Sequence, residues 1–363
     1  DRPFCGWKQT AGKTNGRKQM KYTLIGAGGI GASMGAWLSR AGTDILYVDA
    51  VSEHVRAMNE RGLTIRDPVN GDFTVPVKAA LIDGLNEPLE AVFLATKTQH
   101  TRAAMERIAP LLKDNGYVVS LQNGINEYVI AEYVGEQRVI GAFVNWAADY
   151  IEPGVIQFGG HSNFVIGELD GKVTGRLMHL QELCSSFQQV EISSQIMRQL
   201  WSKQVNICAM FATGITHLLI PGGMEYQPAQ ETIACIALEA MQVPKALNIE
   251  LISFDDFRPD LYRQGRYREA LKVTADHYRP MVKNYTGLYR DLAVRRRKSE
   301  IDGTVGIVVQ MGERLGLDLP LNRKLVSMVK EIEGGRRMIC TENLLELKSE
   351  YGKIYPEGLK QLL

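Results

Sequence analysis

Lys203, Asn206, Met210 and Thr213 recur at offsets of 0, 3, 7 and 10, so on a helix they share one stripe. The surrounding run, Leu200-Trp201-Ser202-Lys203-Gln204-Val205-Asn206-Ile207-Cys208-Ala209-Met210, is otherwise largely apolar. A lysine and an asparagine on an apolar face need partners or a cavity. A held ammonium can stabilise the charge that builds on a carbonyl oxygen when a ketone is reduced by hydride, and can deliver the proton. The same spacing also describes a lysine snorkelling toward water near a helix N-terminus. Spacing alone leaves both readings open.

A second group lies far upstream. Gly26, Gly28 and Gly31 follow the apolar run Tyr22 to Ile25 and open a helix-like segment that closes near Gly42. Another apolar run, Ile45 to Val48, ends in Asp49. This is the order of a βαβ dinucleotide fingerprint: one glycine for the turn, one for close approach of a pyrophosphate, one for helix–strand packing. The pyrophosphate would rest on free N–H groups at the helix start, which takes in Gly29 and Ile30. A carboxylate at Asp49 accepts from ribose hydroxyls and repels a 2′-phosphate, which favours NAD(H). Arg56, seven residues on, is the residue that would reach a 2′-phosphate. Asp49 could instead cap the next helix, although Ser52 stands nearer the cap position.

Two further loops follow apolar strand-like runs, where ligands of a parallel sheet collect. Thr96-Lys97-Thr98 follows Ala91–Ala95, and Gln122-Asn123-Gly124 follows Tyr117–Leu121. Lys97 would approach a cofactor phosphate or ribose, or be an exposed loop lysine. Asn123 would face a ligand, or serve turn chemistry. Near the far end, Arg290-Asp291 precedes the basic run Arg295-Arg296-Arg297-Lys298 and then Ser299-Glu300-Ile301-Asp302. The run could attract an anionic substrate or cofactor, but such a run is more often a solvated helix face, with Glu300 at i+4 from Arg296 as an exposed ion pair.

The elements that position these groups change character along the chain. From Lys21 to about Val190, short β-rich runs alternate with helix-length segments, which predicts a doubly wound sheet. Asn70-Gly71 between Leu63–Arg66 and Phe73–Val77 predicts a hairpin. A Pro153-Gly154 turn and Asn163–Ile166 predict an antiparallel extension. After Ser194, helical spacing dominates: Ile196–Leu219, Gln227–Ala246, Arg266–Val282, Thr286–Leu315 and Leu321–Ile332. The expected division is a dinucleotide-binding domain at 20–194 and a helical substrate domain at 195–363, with a cleft between them. Residues 1–19 are polar and lack the apolar segment of a signal peptide, so they read as a disordered or vector-derived leader before Met20.

The 363 residues are 45% hydrophobic, enough for two cores, and carry 42 Lys plus Arg against 41 Asp plus Glu. No global field draws the chain to nucleic acid or a membrane surface. No apolar run approaches the ~20 residues of a membrane span. Cys5, Cys184, Cys208, Cys235 and Cys340 form no metal-like spacing, and no metal is expected; a reduced, cytoplasmic protein is the plain reading. Long apolar helices such as Ile196–Leu219 admit a homodimer.

Taken in order, the glycine fingerprint, Lys97, Gln122-Asn123-Gly124, Trp201-Ser202-Lys203, Arg290-Asp291-Leu292, Ser299-Glu300-Ile301-Asp302 and Gly316-Leu317-Asp318-Leu319-Pro320-Leu321-Asn322 resemble the ketopantoate reductase (2-dehydropantoate 2-reductase) family, from Met20 to about Glu333. The resemblance implies an α/β Rossmann-type domain joined to an all-α domain of the 6-phosphogluconate dehydrogenase C-terminal type. It implies NADP(H), against the NAD(H) that Asp49 favours. It implies that Lys203 donates the proton to the C2 oxygen, that Glu300 holds and tunes Lys203, and that Asn123 stands where cofactor and substrate meet. The family's asparagines four and eight residues after the lysine are Ile207 and Phe211 here, with Asn206 at +3. Tyr285-Thr286-Gly287 replaces the family's serines, leaving Thr286 to contact the substrate carboxylate. The loop from Asp291 to Glu300 is one residue longer. The implied activity is reduction of a 2-oxo acid, 2-dehydropantoate first, a step of pantothenate biosynthesis. A different 2-oxo or 2-hydroxy acid, or a nucleotide-sensing protein without turnover, are the alternatives.

Overall fold

The structure is a computed structural model that describes residues 20–281 and 284–363. The expected leader at 1–19, Cys5 and the end of the expected segment Arg266–Val282 lie outside the described residues. The N-terminal half runs β1 (Tyr22–Ile25), α1 (Gly29–Arg40), β2 (Ile45–Asp49), α2 (Ser52–Arg61), β3 (Leu63–Arg66), β4 (Phe73–Val75), β5 (Lys78–Leu81), β6 (Leu89–Leu94), α3 (Thr101–Ile108), β7 (Leu112–Ser120), α4 (Glu127–Val134), β8 (Val139–Val144), β9 (Ala148–Glu152), β10 (Val155–Phe158), β11 (Phe164–Glu168), α5 (Gly175–Cys184) and β12 (Glu191–Ile192).

The main sheet has the order β12-β11-β8-β7-β6-β1-β2-β5. From β5 to β8 every pairing is parallel, the doubly wound order; β11 then runs antiparallel to β8. Its central strands are nearly continuous apolar runs, as burial on both faces requires. The expected hairpin forms as β3 and β4, but in a second sheet of order β4-β3-β10-β9. Register carries the functional consequence. Ile25 lies opposite Val48 and Leu94, and Leu94 lies opposite Ser120. The glycine turn, Asp49, the Lys97 loop and the Asn123 loop therefore leave the sheet along one edge.

The second half is helical: α6 (Ile196–Thr213), α7 (Ile220–Met224), α8 (Gln230–Ala246), α9 (Pro259–Arg263), α10 (Tyr267–Tyr278), α11 (Gly287–Tyr289), α12 (Ile307–Arg314), α13 (Pro320–Glu333) and α14 (Glu342–Ile354). α6 is buried on nearly all sides, with Trp201 wholly inside the core. Its apolarity is thus accounted for by packing within the chain. It crosses β8 closely: a Cβ at Gly141 would stand 3.1 Å from both Ile196 and Leu200 side-chain carbons.

The expected helix Thr286–Leu315 is not continuous. α11 passes into a wide π-type turn at Arg290–Val294, Arg296 takes a left-handed φ of 49°, and a second π-type turn spans Asp302–Gly306 before α12. A regular helix would stack the four cations of 295–298 on neighbouring positions. The bent chain instead lets Arg295 and Arg297 both reach buried Asp291, at 3.2 and 2.8 Å, and turns Glu300 inward. No helix among the described residues is long and apolar enough to cross a membrane. Nor do the described residues gather three or more His, Cys, Asp or Glu into a metal-holding group.

Candidate active site

The glycine turn has the shape its sequence requires. Gly26 has φ +91°, and a Cβ there would lie 2.8 Å from the Thr96 nitrogen. A Cβ on Gly31 would lie 2.6 Å from the Gly26 carbonyl oxygen and 2.8 Å from Ala95 Cβ. At Gly28 nothing stands within 4 Å, so this face of the turn is open. No side chain caps the start of α1. Open backbone at an uncapped helix N-terminus fits a pyrophosphate. Gly29 differs: a Cβ there would meet the Ala148 carbonyl at 2.8 Å, because β9 crosses the helix start. Ile30 is half-buried against the sheet core.

Asp49 ends β2 beside this turn. Its Oδ2 accepts from the Ala27 N–H at 2.9 Å and its Oδ1 from the Val51 N–H at 3.0 Å. The carboxylate therefore fastens the glycine turn as well as standing at the sheet edge. Buried His54, which the sequence did not single out, fixes the same turn from below. Its Nδ1 accepts from the Gly154 N–H at 2.9 Å, so Nε2 carries the proton it donates to the Ala27 carbonyl at 2.8 Å. Arg56 is exposed on α2.

The next two loops are tied together by Gln122. Its buried amide donates to the Thr96 carbonyl at 2.9 Å and to the Thr101 hydroxyl at 2.8 Å. Asn126 donates to the Asn123 carbonyl at 2.6 Å, leaving the Asn123 side chain exposed. Gly124, at φ +86°, lies so close to the helical half that a Cβ would meet the Gly303 carbonyl at 2.6 Å.

Lys203 lies on α6 over the end of β8. Its ammonium donates to the Val144 carbonyl at 2.6 Å and stands 5.4 Å from the Phe143 ring centroid. Burial pulls its pKa down to about 8, opposed by the charges of Asp256, Glu300 and Glu127 in that order. Asn206, one turn on, donates to buried Asp256 at 2.8 Å. Glu127 at the start of α4 is wholly buried, and desolvation pushes its carboxyl up to about 7.

Two expected placements change. Glu300 does not hydrogen-bond Lys203: its Oε2 takes the Lys97 ammonium at 2.6 Å and its Oε1 the Thr98 N–H at 3.2 Å. Asp291 stands 3.6 Å from the same ammonium. Lys97 supplies the nearer cation, and the π-type turns aim Glu300 at the N-terminal half; the Arg296 pair does not form. Thr286 is also away from Lys203. Its hydroxyl accepts from the Tyr289 N–H at 3.0 Å as the cap of α11, packed on Gly214. Eleven residues of helix separate Gly214 from Lys203, about 16 Å along α6. The expected asparagine sites hold Ile207 and Phe211, both buried in the helical core.

Among the described residues, three buried polar atoms near this edge have no protein partner: Thr98 Oγ1, Gln122 Oε1 and Asn206 Oδ1. Arg290 and Arg295 of the helical half both pair with Asp149 of β9, so the two halves are also joined beside the glycine turn.

Sequence reasoning missed Glu127, Asp256 and His54. Glu127 is an acid in the apolar first turn of α4, a signal that was present. Asp256 lies in a loop with no periodicity.

Comparison with known proteins agrees with this architecture. The family described as Ketopantoate reductase PanE/ApbA matches residues 22–171, and Ketopantoate reductase PanE/ApbA C terminal matches residues 195–333. The 2-dehydropantoate 2-reductase of Archaeoglobus fulgidus is 26% identical over 318 residues, covering 87% of this chain and 98% of its own. That of Pyrococcus horikoshii is 28% identical over 321 residues, covering 86% and 98%. The crystal structure of a PanE/ApbA family ketopantoate reductase from Ralstonia eutropha superposes with a TM-score of 0.74 at 26% identity, covering 87% of this chain and 99% of that one. D-mandelate dehydrogenase with NADH and anilino(oxo)acetate shares the fold, with a TM-score of 0.76 at 22% identity over 87% of this chain and 99% of that one. With both family descriptions matched in order across a Rossmann-type sheet and a helical half, the chain belongs to the ketopantoate reductase family and is an oxidoreductase.

Proposed function

We propose that this protein reduces a 2-oxo acid with a nicotinamide dinucleotide, and that its halves divide at 194/195 into cofactor and substrate domains. The observation that carries the reading is Lys203, an ammonium held at 2.6 Å by the Val144 carbonyl beside the sheet edge where the glycine turn emerges. The open turn at Gly26 to Gly31, Asp49, Lys97 and Asn123 are the residues that would hold the dinucleotide. A bound reduced nicotinamide would supply the hydride.

The chain's own residues supply the rest. Lys203 gives its proton to the oxygen that gains charge, and a pKa near 8 keeps it mostly charged at neutral pH while leaving it a willing donor. The unpartnered Asn206 Oδ1, on the same stripe, is the acceptor offered to a substrate hydroxyl. Through Lys97, Glu300 fixes the cofactor loop against the helical half. Asp49 favours NAD(H): its carboxylate at the end of β2 suits ribose hydroxyls and opposes a 2′-phosphate.

2-Dehydropantoate is the first substrate to test, as the relatives' names indicate. A different 2-oxo acid is the second, because the asparagines expected at positions 207 and 211 are absent. The test follows the near-ultraviolet absorbance of NADH and NADPH against a panel of 2-oxo acids. Lys203→Ala should cut turnover by orders of magnitude with cofactor affinity nearly intact. Tight cofactor binding without turnover of any acid would refute the reductase reading and favour a sensor.

A further inference from the structure

The loop between α8 and α9 is laid along α6 by three side-chain contacts in register. Arg198 donates to the Glu250 carbonyl at 2.8 Å. Ser202 Oγ accepts from the Ile252 N–H at 2.8 Å. Asn206 donates to Asp256 at 2.8 Å. These α6 residues are spaced by four, one face of the helix, and Lys203 falls between the last two. The strap ends in a knot, Phe254 and Phe257 exchanging backbone hydrogen bonds at 3.1 Å each. Phe254 packs edge-on against Phe143, the ring beside the Lys203 ammonium, at 5.4 Å between centroids.

The knot presents two carboxylates in opposite directions. Asp255 accepts from Asn163 at 2.7 Å and from Asn145 at 3.4 Å. Asn145 directly follows Val144, whose carbonyl holds Lys203. Asp256 points inward, is 2% exposed, accepts from Asn206, and has its own carbonyl bonded by Thr274 at 2.7 Å. Both supports of Lys203, the helix it grows from and the strand end it binds, are gripped by one turn.

We propose that Asp256 is the positioning carboxylate of Lys203: carried to α6 by the strap and aimed through Asn206, it holds the ammonium charged and in place. The assignment rests on the reading of Lys203 as proton donor. Glu300, the carboxylate expected in this role, is already engaged by Lys97 and the Thr98 N–H.

The groups that face this pair are few. Lys203 meets the charges of Asp256, Glu300 and Glu127. Asp256 meets His277, Asp255, Tyr262 and Tyr278 besides Asn206. Burial raises the Asp256 carboxyl above its ordinary range, while His277 and the Asn206 amide favour its charged form. Removing the charge of Asp256 leaves Lys203 less favoured as an ammonium, so its titration moves to lower pH.

The test reads Lys203 directly, without turnover. The whole protein is pulse-labelled with acetic anhydride between pH 6 and 10, and the peptide holding Lys203 is quantified by mass spectrometry. Asp256→Asn should lower the labelling midpoint by about one pH unit, and Asp256→Glu should restore most of it. Asn206→Leu, which leaves Asp256 in place but cuts its hydrogen bond, should move the midpoint the same way; it keeps the question open to measurement if Asp256→Asn does not fold. Glu300→Gln and Glu127→Gln should each move it less. An unchanged midpoint in Asp256→Asn or Asn206→Leu, or a larger change in Glu300→Gln or Glu127→Gln, overturns the assignment. Rates with a 2-oxo acid separate the two claims. If the midpoint moves as expected but no acid is turned over, the reductase reading fails while the coupling of Asp256 to Lys203 stands.

Discussion

The sharpest consequence of a buried proton donor is that the two directions of reaction must respond to pH in opposite ways. The perturbation is alkalinity alone. With Lys203 titrating at about 8, the ammonium is about nine-tenths populated at pH 7 and about one-tenth at pH 9. Reduction needs the ammonium, so kcat should fall about tenfold over that interval wherever proton transfer limits it. Oxidation of the 2-hydroxy acid needs the free amine, so its kcat should rise through the same midpoint. Glu127, at about 7, loses its charge below neutrality, where Lys203 is already protonated, so it adds no comparable alkaline limb. Both directions can be followed by nicotinamide absorbance under saturating substrate, with solvent deuterium identifying the pH range in which the proton limits the rate. Parallel limbs in the two directions, or a reduction rate flat from pH 7 to 9 despite a solvent isotope effect, would remove Lys203 as the donor.

Three other outcomes test the supporting structure. Asp49→Ala should weaken NADH more than NADPH, by about 10- to 100-fold for a lost charge-assisted pair of hydrogen bonds; equilibrium titration showing the reverse order would mean that Asp49 does not read the ribose. Glu300→Gln leaves Lys97 with Asp291 alone at 3.6 Å. Because Lys97 is 39% exposed and Glu300 only 10%, the loss should fall between the exposed and buried limits, about 1–2 kcal/mol; an unchanged melting temperature would contradict that. His54→Leu strands the Gly154 N–H and the Ala27 carbonyl and should cost about 2–4 kcal/mol, read as a shifted urea midpoint. Full stability in that variant would show that the turn is held by other contacts.

What could be read from the chain in advance followed the range of the forces involved. Gly26, Gly28 and Gly31 were legible because their roles are steric and local: two have no room for a Cβ and the third faces open space. The alternation of strands and the helical spacing of Lys203 and Asn206 were legible for the same reason. The role of Lys203 came from family resemblance rather than spacing. Glu300 was located, but its partner was not, since Lys97 lies 203 residues away and competition between two lysines is settled only in space. The segment 286–315 misled because helical periodicity does not register how four successive cations and two inward carboxylates bend a backbone. Asp256 carried no pattern at all; it is defined by where a strap ends.

Asp49 joins two properties that a designer would wish to keep apart. The carboxylate that would discriminate between sugars is the same one that bonds the Ala27 and Val51 amides. Discrimination and rigidity are therefore inherited together in this chain. A neutral or basic replacement that welcomes a phosphorylated ribose also slackens the turn meant to receive the pyrophosphate. Conversion to the other dinucleotide calls for a compensating acceptor at the Ala27 amide, installed before Asp49 is changed.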